Sequence, residues 1–249
     1  MSPKSVLITG ANRGIGLGLV KAFLADKKVD HVFAASRQAN SETLTTLQDD
    51  RLHVLELDVN RDESIEKAVK EVETVVGCYG LTLLINNAGV ATEYATDQKP
   101  KREILQSVVV TNAVSAAIVT QFFLPLLKLA ASNGASDTHS ISRAAVVNIS
   151  SYFASIAAND TGSNPTGILA YRTSKTALNS ITKTMAIDLE KYGILVAAFS
   201  PGWVQTDMGG SDAELTVDQS MAELVPTIYK LNIEQNGGCF TRSGEVIPF

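Results

Sequence analysis

Short apolar runs alternate along the chain with longer stretches in which apolar residues recur every third or fourth position. Val6-Leu7-Ile8-Thr9 is the first run, and Ile15, Leu19, Ala22 and Phe23 follow it at helical spacing. A buried strand therefore leads into a helix with one apolar stripe. Further runs at His31–Ser36, Leu52–Val59, Leu81–Ile85, Ala145–Ile149 and Ile194–Phe199, with a short one at Cys239-Phe240, predict strands. Helices are predicted from about Asp62 (Ile65, Ala68, Val69, Val72 and Val76 inward), over Arg102–Ala131, over Ala170–Tyr192 (Leu178, Ile181, Met185 and Leu189 on one face) and over Val217–Leu231. This alternation is that of an α/β protein with a doubly wound parallel sheet and helices on both faces. Polar, Gly- and Ser-rich stretches at Ser132–Arg143 and Ala157–Gly167 read as loops. No repeat or linker interrupts the pattern, so residues 1–249 read as one domain.

Chemistry collects where strands end. The first strand runs into Gly10-Ala11-Asn12-Arg13-Gly14-Ile15-Gly16. Glycines between a strand and a helix let the backbone turn tightly and approach a pyrophosphate, whose charge the helix N-terminus stabilises. The spacing differs from the Gly-x-Gly-x-x-Gly of many dehydrogenases. The second strand ends at Ser36-Arg37. A site for NAD usually places an acid about 20 residues after the turn, to hold a ribose 2′-hydroxyl. Ser36 and Arg37, with Arg13 in reach, instead favour a 2′-phosphate. Asp58, beside Val59, either bonds an adenine amino group or caps the next helix. Asn86-Asn87-Ala88-Gly89 closes the fourth strand, where two amides either wall a cofactor cleft or only tie loops together.

Asn112 lies among Val108, Val109, Ala113 and Ala116 in a long apolar helix, and a buried amide needs hydrogen-bond partners. It is either satisfied by backbone or holds a water that leads protons inward. Ser150-Ser151 ends the fifth strand, where a hydroxyl would steer a carbonyl group. Tyr171 and Lys175 are spaced i, i+4 and so share one helix face. A phenol is a weak acid, with a pKa of about 10, and a neighbouring ammonium makes it a better one. The sixth strand leads into Ser200-Pro201-Gly202-Trp203-Val204-Gln205-Thr206-Asp207-Met208, and Gly209-Gly210-Ser211 reads as a flexible lid. Tyr94, Tyr152, Phe153, Trp203 and Met208 suggest an apolar, partly aromatic substrate pocket.

Charge and composition narrow the classes. With 45% hydrophobic and 19% charged residues the chain is built to fold. A net charge of −5 disfavours nucleic-acid binding; Lys99-Pro100-Lys101-Arg102 reads as a solvated loop. The two cysteines, Cys78 and Cys239, are far apart and lack ligand neighbours, so no metal site is expected and a reducing compartment is. The apolar stretch Ala113–Leu127 falls short of the ~20 residues of a membrane span, and the N-terminus enters the first strand without a signal peptide. A soluble cytoplasmic protein is expected.

Thr9-Gly10-x-x-x-Gly14-x-Gly16, Asn86-Asn87-Ala88-Gly89, Asn112, Ser151, Tyr171-x-x-x-Lys175 and Pro201-Gly202-x-x-x-Thr206 stand in the order of the short-chain dehydrogenase/reductase family, which the whole chain resembles. Tyr171-Arg172-Thr173-Ser174-Lys175-x-Ala177-Leu178-Asn179 and Pro201-Gly202-Trp203-Val204-x-Thr206-Asp207-Met208-Gly209-Gly210 carry a further likeness to NADPH-dependent carbonyl reductases of the sniffer type. The resemblance implies a Rossmann-type sheet and reduction of an aldehyde or ketone. Tyr171 would be the general acid, and Lys175 would hold the nicotinamide ribose and lower the Tyr171 pKa. Ser151 would orient the carbonyl and Asn112 would anchor a relay water. NADPH would lie along Gly10, Asn12, Arg13, Gly14, Ile15, Gly16, Ser36, Arg37, Asp58, Val59, Asn87, Ala88, Gly89, Tyr171, Lys175, Pro201 and Gly202, with Val204 and Thr206 on the carboxamide. Ser151, Tyr152, Phe153, Trp203 and Met208 would line the substrate pocket. A homodimer or homotetramer through the two long helices, with no membrane or nucleic-acid partner, is also implied. The chain departs from the family by extra residues around Asn159–Thr166, between Ser151 and Tyr171. An NAD-dependent alcohol or steroid dehydrogenase is one rival reading. A non-catalytic nucleotide sensor or scaffold is another, although it would need no proton donor.

Overall fold

The computed structural model describes residues 2–38, 41–134, 139–163 and 166–249. Parts of both polar loops, residues 135–138 and 164–165, lie outside the described residues. Seven strands form one sheet: β1 (Ser5–Thr9), β2 (His31–Ser36), β3 (Leu52–Glu56), β4 (Leu83–Asn86), β5 (Ala145–Ile149), β6 (Leu195–Ser200) and β7 (Cys239–Thr241). Every pairing is parallel, in the order β3-β2-β1-β4-β5-β6-β7. Among the described residues the α-helices are α1 (Gly14–Ala25), α2 (Glu42–Thr45), α3 (Asp62–Val76), α4 (Arg102–Val109), α5 (Ser115–Asn133), α6 (Leu169–Glu190) and α7 (Val217–Tyr229).

Because side chains alternate across a strand, each strand feeds two cores. Val6 and Ile8 join Leu19 and Phe23 of α1 and Leu224 and Ile228 of α7 on one face. Leu7 joins Ile65 and Val72 of α3 and Val119, Phe123 and Leu127 of α5 on the other. The strand order reverses at β1, which sits between β2 and β4. That reversal opens a crevice at the carboxyl ends of β1 and β4, the place where open α/β sheets bind ligands.

Several boundaries differ from the sequence pattern, for local reasons. β3 stops at Glu56 rather than Val59 because its partner β2 ends at Ser36, which pairs with Glu56. β4 starts at Leu83 rather than Leu81 because Ser5 and Thr82 bond each other through side chain and backbone, replacing ladder bonds. Four-residue α2 is too short for periodicity to reveal.

The long apolar helix holds the largest surprise. α4 and α5 run on as one helix over Arg102–Asn133, through a π-helical segment at Val110–Val114. Over its 32 residues it reaches a mean hydropathy of 1.7 across 18 residues, long and apolar enough to cross a membrane by length and composition alone. Half of those 18 residues are buried, and Val119, Phe123 and Leu127 lie in the core beneath the sheet.

Candidate active site

The glycine turn is built by close approach. Gly10 and Gly14 have φ of +64° and +53°, where a Cβ is strained. A Cβ on Gly16 would lie 2.2 Å from the Gly10 carbonyl oxygen and 2.6 Å from the Asn87 amide. Asn87 Nδ2 donates to the Thr9 and Gly10 carbonyls at 2.8 and 3.1 Å, and the Asn87 and Ala88 N–H groups donate to Thr9 Oγ1. Asn87 thus stitches the end of β4 to the turn after β1. Asn86 points into the core, donating to Asn148 Oδ1 and Thr120 Oγ1. α1 begins with no side-chain cap and no acid in its first turn, which leaves its N–H groups free for an anion. The groove beside this turn fits a pyrophosphate.

At the far end of the groove, Ser36 is buried and its hydroxyl donates to the Gln38 carbonyl. That hydroxyl is spent on a local turn, which leaves Arg37 as the exposed group there. Arg13 pairs with Asp207 across the groove. Asp58 does not cap α3, whose first turn follows Arg61. Its carboxylate accepts from the Asn60 N–H, while its own N–H donates to Ser64 Oγ. Val59 is half-buried against the α3–α5 core.

The corner that holds Tyr171 and Lys175 joins three elements. α6 begins at Leu169, which puts Tyr171 in its first turn and Lys175 one turn on. Lys175 is 5% exposed, and its Nζ donates to the Ile149 carbonyl at 2.7 Å. Burial pushes its pKa down to about 8. Nζ lies 5.8 Å from the Tyr171 ring centroid. The phenol departs from expectation: burial raises its pKa, and Ser151, rather than Lys175, is the group that pulls it back down. The structure also separates the two serines. Ser150 is buried and donates to Asn179 Oδ1, whereas Ser151 is half-exposed beside the phenol.

Asn112 sits inside the π-helical segment, where the extra residue swings its side chain off the regular helix face. Its Oδ1 accepts from the Val90 N–H, and its Nδ2 donates to the Val90 carbonyl and to Ser174 Oγ, all at 2.8–2.9 Å. Every polar atom of the amide therefore has a protein partner. Ser174 in turn donates to the Tyr171 carbonyl. Ser174, to which sequence reasoning gave no role, is the joint between Asn112 and α6. A Cβ on Gly89 would lie 3.2 Å from Asn112 Oδ1 and 3.7 Å from Lys175 Nζ, so this glycine keeps the corner open.

The rim is apolar. Tyr152, Phe153, Trp203 and Met208 all remain exposed. Tyr94 does not join them: it is buried with Val108 and Ala170, and its hydroxyl accepts from the Lys101 N–H. The loop after β6 is knitted rather than free. Trp203 Nε1 donates to the Gly209 carbonyl, the Gly209 N–H to Thr206 Oγ1, and the Gly210 N–H to the Thr206 carbonyl. Val204 is buried and bridges to Leu215, Thr206 packs on Gly14, and Gly202 turns at φ +86° after Pro201. Asn12 accepts through its carbonyl from Thr43, and Ile15 packs on the α1–α7 core.

A family model described as short chain dehydrogenase matches residues 4–215. The carbonyl reductase Sniffer of D. melanogaster superposes with a TM-score of 0.94 and is 39% identical, each chain covered over 100%. NADPH-bound carbonyl reductase from chicken fatty liver superposes with a TM-score of 0.94 at 35% identity, covering 100% of this chain and 95% of the other. The short-chain dehydrogenase anuI of Penicillium roqueforti is 31% identical over 88% of this chain and 86% of its own length.

Proposed function

The chain belongs to the short-chain dehydrogenase family, and on that premise we propose that it is an NADPH-dependent carbonyl reductase. It reduces an aldehyde or ketone to the alcohol. The observation that carries this reading is a half-open phenol, Tyr171, set between the Ser151 hydroxyl and a buried lysine tied to the end of β5. A cleft with a proton donor, a carbonyl-orienting hydroxyl and a phosphate cradle has the parts for reduction of a carbonyl group.

The glycine turn, the free N–H groups of α1 and Arg37 would hold NADPH, with Val204 and Thr206 at its nicotinamide end. When bound, NADPH supplies the hydride. Ser151 donates a hydrogen bond to the substrate carbonyl oxygen and orients it. Tyr171 Oη gives its proton to that oxygen as the alcohol forms. Raised by burial, the phenol is protonated at neutral pH and ready to donate. The positive charge of Lys175 favours the phenolate that remains. Asn112 holds Val90 and Ser174, which fixes the floor beneath Lys175. The exposed rim of Tyr152, Phe153, Trp203 and Met208 favours an apolar carbonyl compound.

Arg37 and the lack of an acid after β2 support NADPH over NADH. The whole chain serves as one domain for cofactor and substrate. It works as a homodimer or homotetramer in the cytoplasm, with exposed Val110, Val114 and Ile187 on the long helices available for pairing. The deciding experiment follows NADPH absorbance with diacetyl and simple quinones as substrates. Wild type should consume NADPH, and Tyr171→Phe should bind NADPH normally yet reduce nothing. A fully active Tyr171→Phe protein would overturn the assignment.

A further inference from the structure

Arg172 follows the proposed proton donor directly and is 8% exposed. No carboxylate lies within ion-pair distance of it among the described residues, and its Nε has no hydrogen-bond partner there. A hollow of about 510 Å³ flanks it on the outer side of α6, lined by Thr96, Asn159, Ser163 and Thr176 among others and by no acid. Burying a guanidinium whose nearest acid, Asp160, stays beyond ion-pair distance is costly, and an apolar side chain of similar volume would fill the place more cheaply. What the guanidinium supplies instead is directed contact. Its face lies 4.6 Å from the Phe153 ring centroid, its NH1 reaches the Phe153 carbonyl at 3.5 Å, and its NH2 donates to Thr161 Oγ1 at 2.6 Å.

Those contacts run parallel to the proposed catalytic one. Tyr171 and Arg172 are neighbours on the first turn of α6; Ser151 caps the 3-10 turn over Tyr152–Ala154, in which Phe153 sits two residues on. Ser151 Oγ accepts from the Phe153 N–H at 3.2 Å, so the serine and the phenylalanine move as one unit. The other anchors of that turn are the Tyr152 N–H on Ser200 and the Thr176 hydroxyl on the Ala154 carbonyl. Among the described residues only Arg172 connects the serine turn both to the helix start that carries Tyr171 and to the additional loop that follows it.

We infer that Arg172 is a positioning residue for reduction: by clasping Phe153 it holds the Ser151 hydroxyl against the Tyr171 phenol, while its bond to Thr161 only ties down the loop. The inference rests on the reductase reading for its kinetic consequence, but its structural content has a separate readout. Lys175 and Ser151 are the groups that face the phenol, and Asp160 is the acid near Arg172.

The test compares Arg172→Met, Arg172→Lys and Thr161→Val with wild type. NADPH affinity is read by fluorescence, kcat and KM with a simple quinone, and the Tyr171 phenol titration by ultraviolet difference against Tyr171→Phe. Arg172→Met should bind NADPH normally and lose about tenfold to a hundredfold in kcat, as expected of a misplaced catalytic pair. Its phenol should titrate at higher pH, because Ser151 no longer pulls it down. Arg172→Lys should not restore either value, since an ammonium lacks the flat face and fork. Thr161→Val should free the loop and keep kcat. Wild-type kcat and phenol titration in Arg172→Met, whatever its melting temperature, would overturn the inference. So would an equal kcat loss in Thr161→Val. If Arg172→Met does not fold, normal kcat in Arg172→Lys overturns it instead. A wild type that reduces no carbonyl compound would sink the reductase reading, and the phenol titration would still decide the role of Arg172.

Discussion

Lys175 and Ile149 are 26 positions apart in the chain and 2.7 Å apart in space, the ammonium donating to the carbonyl that ends β5. This one bond ties the second turn of α6 to the strand that delivers Ser151. It also keeps a charge in a place that burial makes unfavourable.

Lys175→Met should therefore stabilise the unliganded protein while abolishing reduction. With the folded pKa pushed down to about 8, the unfolded chain binds more protons than the native state between pH 8 and the ordinary lysine value of 10.5. The cost of the buried charge is in full force below about pH 8 and fades as pH rises toward 10.5. At neutral pH it is on the order of 3 kcal/mol. Thermal melts should show Lys175→Met above wild type at pH 7 and a narrowing gap by pH 10; a lower melting temperature at pH 7 would refute the argument.

Arg13 and Asp207 pair across the cofactor groove, both largely exposed. A 2′-phosphate has to compete with Asp207 for this guanidinium. Asp207→Asn should therefore tighten NADPH by about two- to fivefold, the scale of an exposed ion pair, and leave NADH unchanged. Titration of each cofactor at low salt measures it, and equal effects on both would disprove the competition.

Gly16→Ala sets a methyl group 2.2 Å from the Gly10 carbonyl and 2.6 Å from the Asn87 amide. The turn cannot yield without breaking the Asn87 stitch, so about 3 kcal/mol of stability and most NADPH affinity should go together. Gly77→Ala, where a Cβ meets nothing within 4 Å, should cost about 1–3 kcal/mol through backbone strain alone at its φ of +52° and ψ of −133°, and leave NADPH affinity, read by cofactor titration, unchanged. Urea denaturation of both variants tests the contrast.

His31 Nδ1 and His53 Nε2 lie 3.1 Å apart at the sheet end away from the cleft. One donates and the other accepts, so the pair cannot carry two charges. Burial and His31 hold the His53 pKa below its ordinary 6.5. Below pH 6.5 the unfolded chain takes up the proton first, so stability present above that value is lost as pH falls toward the folded pKa, then levels. His53→Phe, which keeps a ring on Phe33, should flatten this decline between pH 7 and 5 in urea melts; an unchanged slope would place the acid sensitivity elsewhere.

Much of the molecule was legible in one dimension. Apolar runs mark strands because a parallel sheet covered on both faces leaves no polar side, and β5 was located at its observed ends, Ala145 and Ile149. Gly10, Gly14 and Gly16 were legible because close backbone approach admits no other residue, and Tyr171 and Lys175 because a helix turn separates positions i and i+4. Less legible was anything set by a partner distant in the chain. Nothing near Tyr94 tells that its hydroxyl is buried on Lys101, and nothing near Asn112 tells that Val90 and Ser174 consume its amide.

The chain's own order determined the alternating architecture and was enough to propose the phosphate turn and the proton donor, because these depend on periodicity and on residue types at short spacing. Tertiary structure alone decided that Ser151 rather than Ser150 meets the phenol, that Arg13 turns to Asp207, and that Arg172 grips Phe153. Those choices rest on which side chains the fold brings within reach of one another across long stretches of sequence, and that is a property of the packed molecule, not of any segment of it.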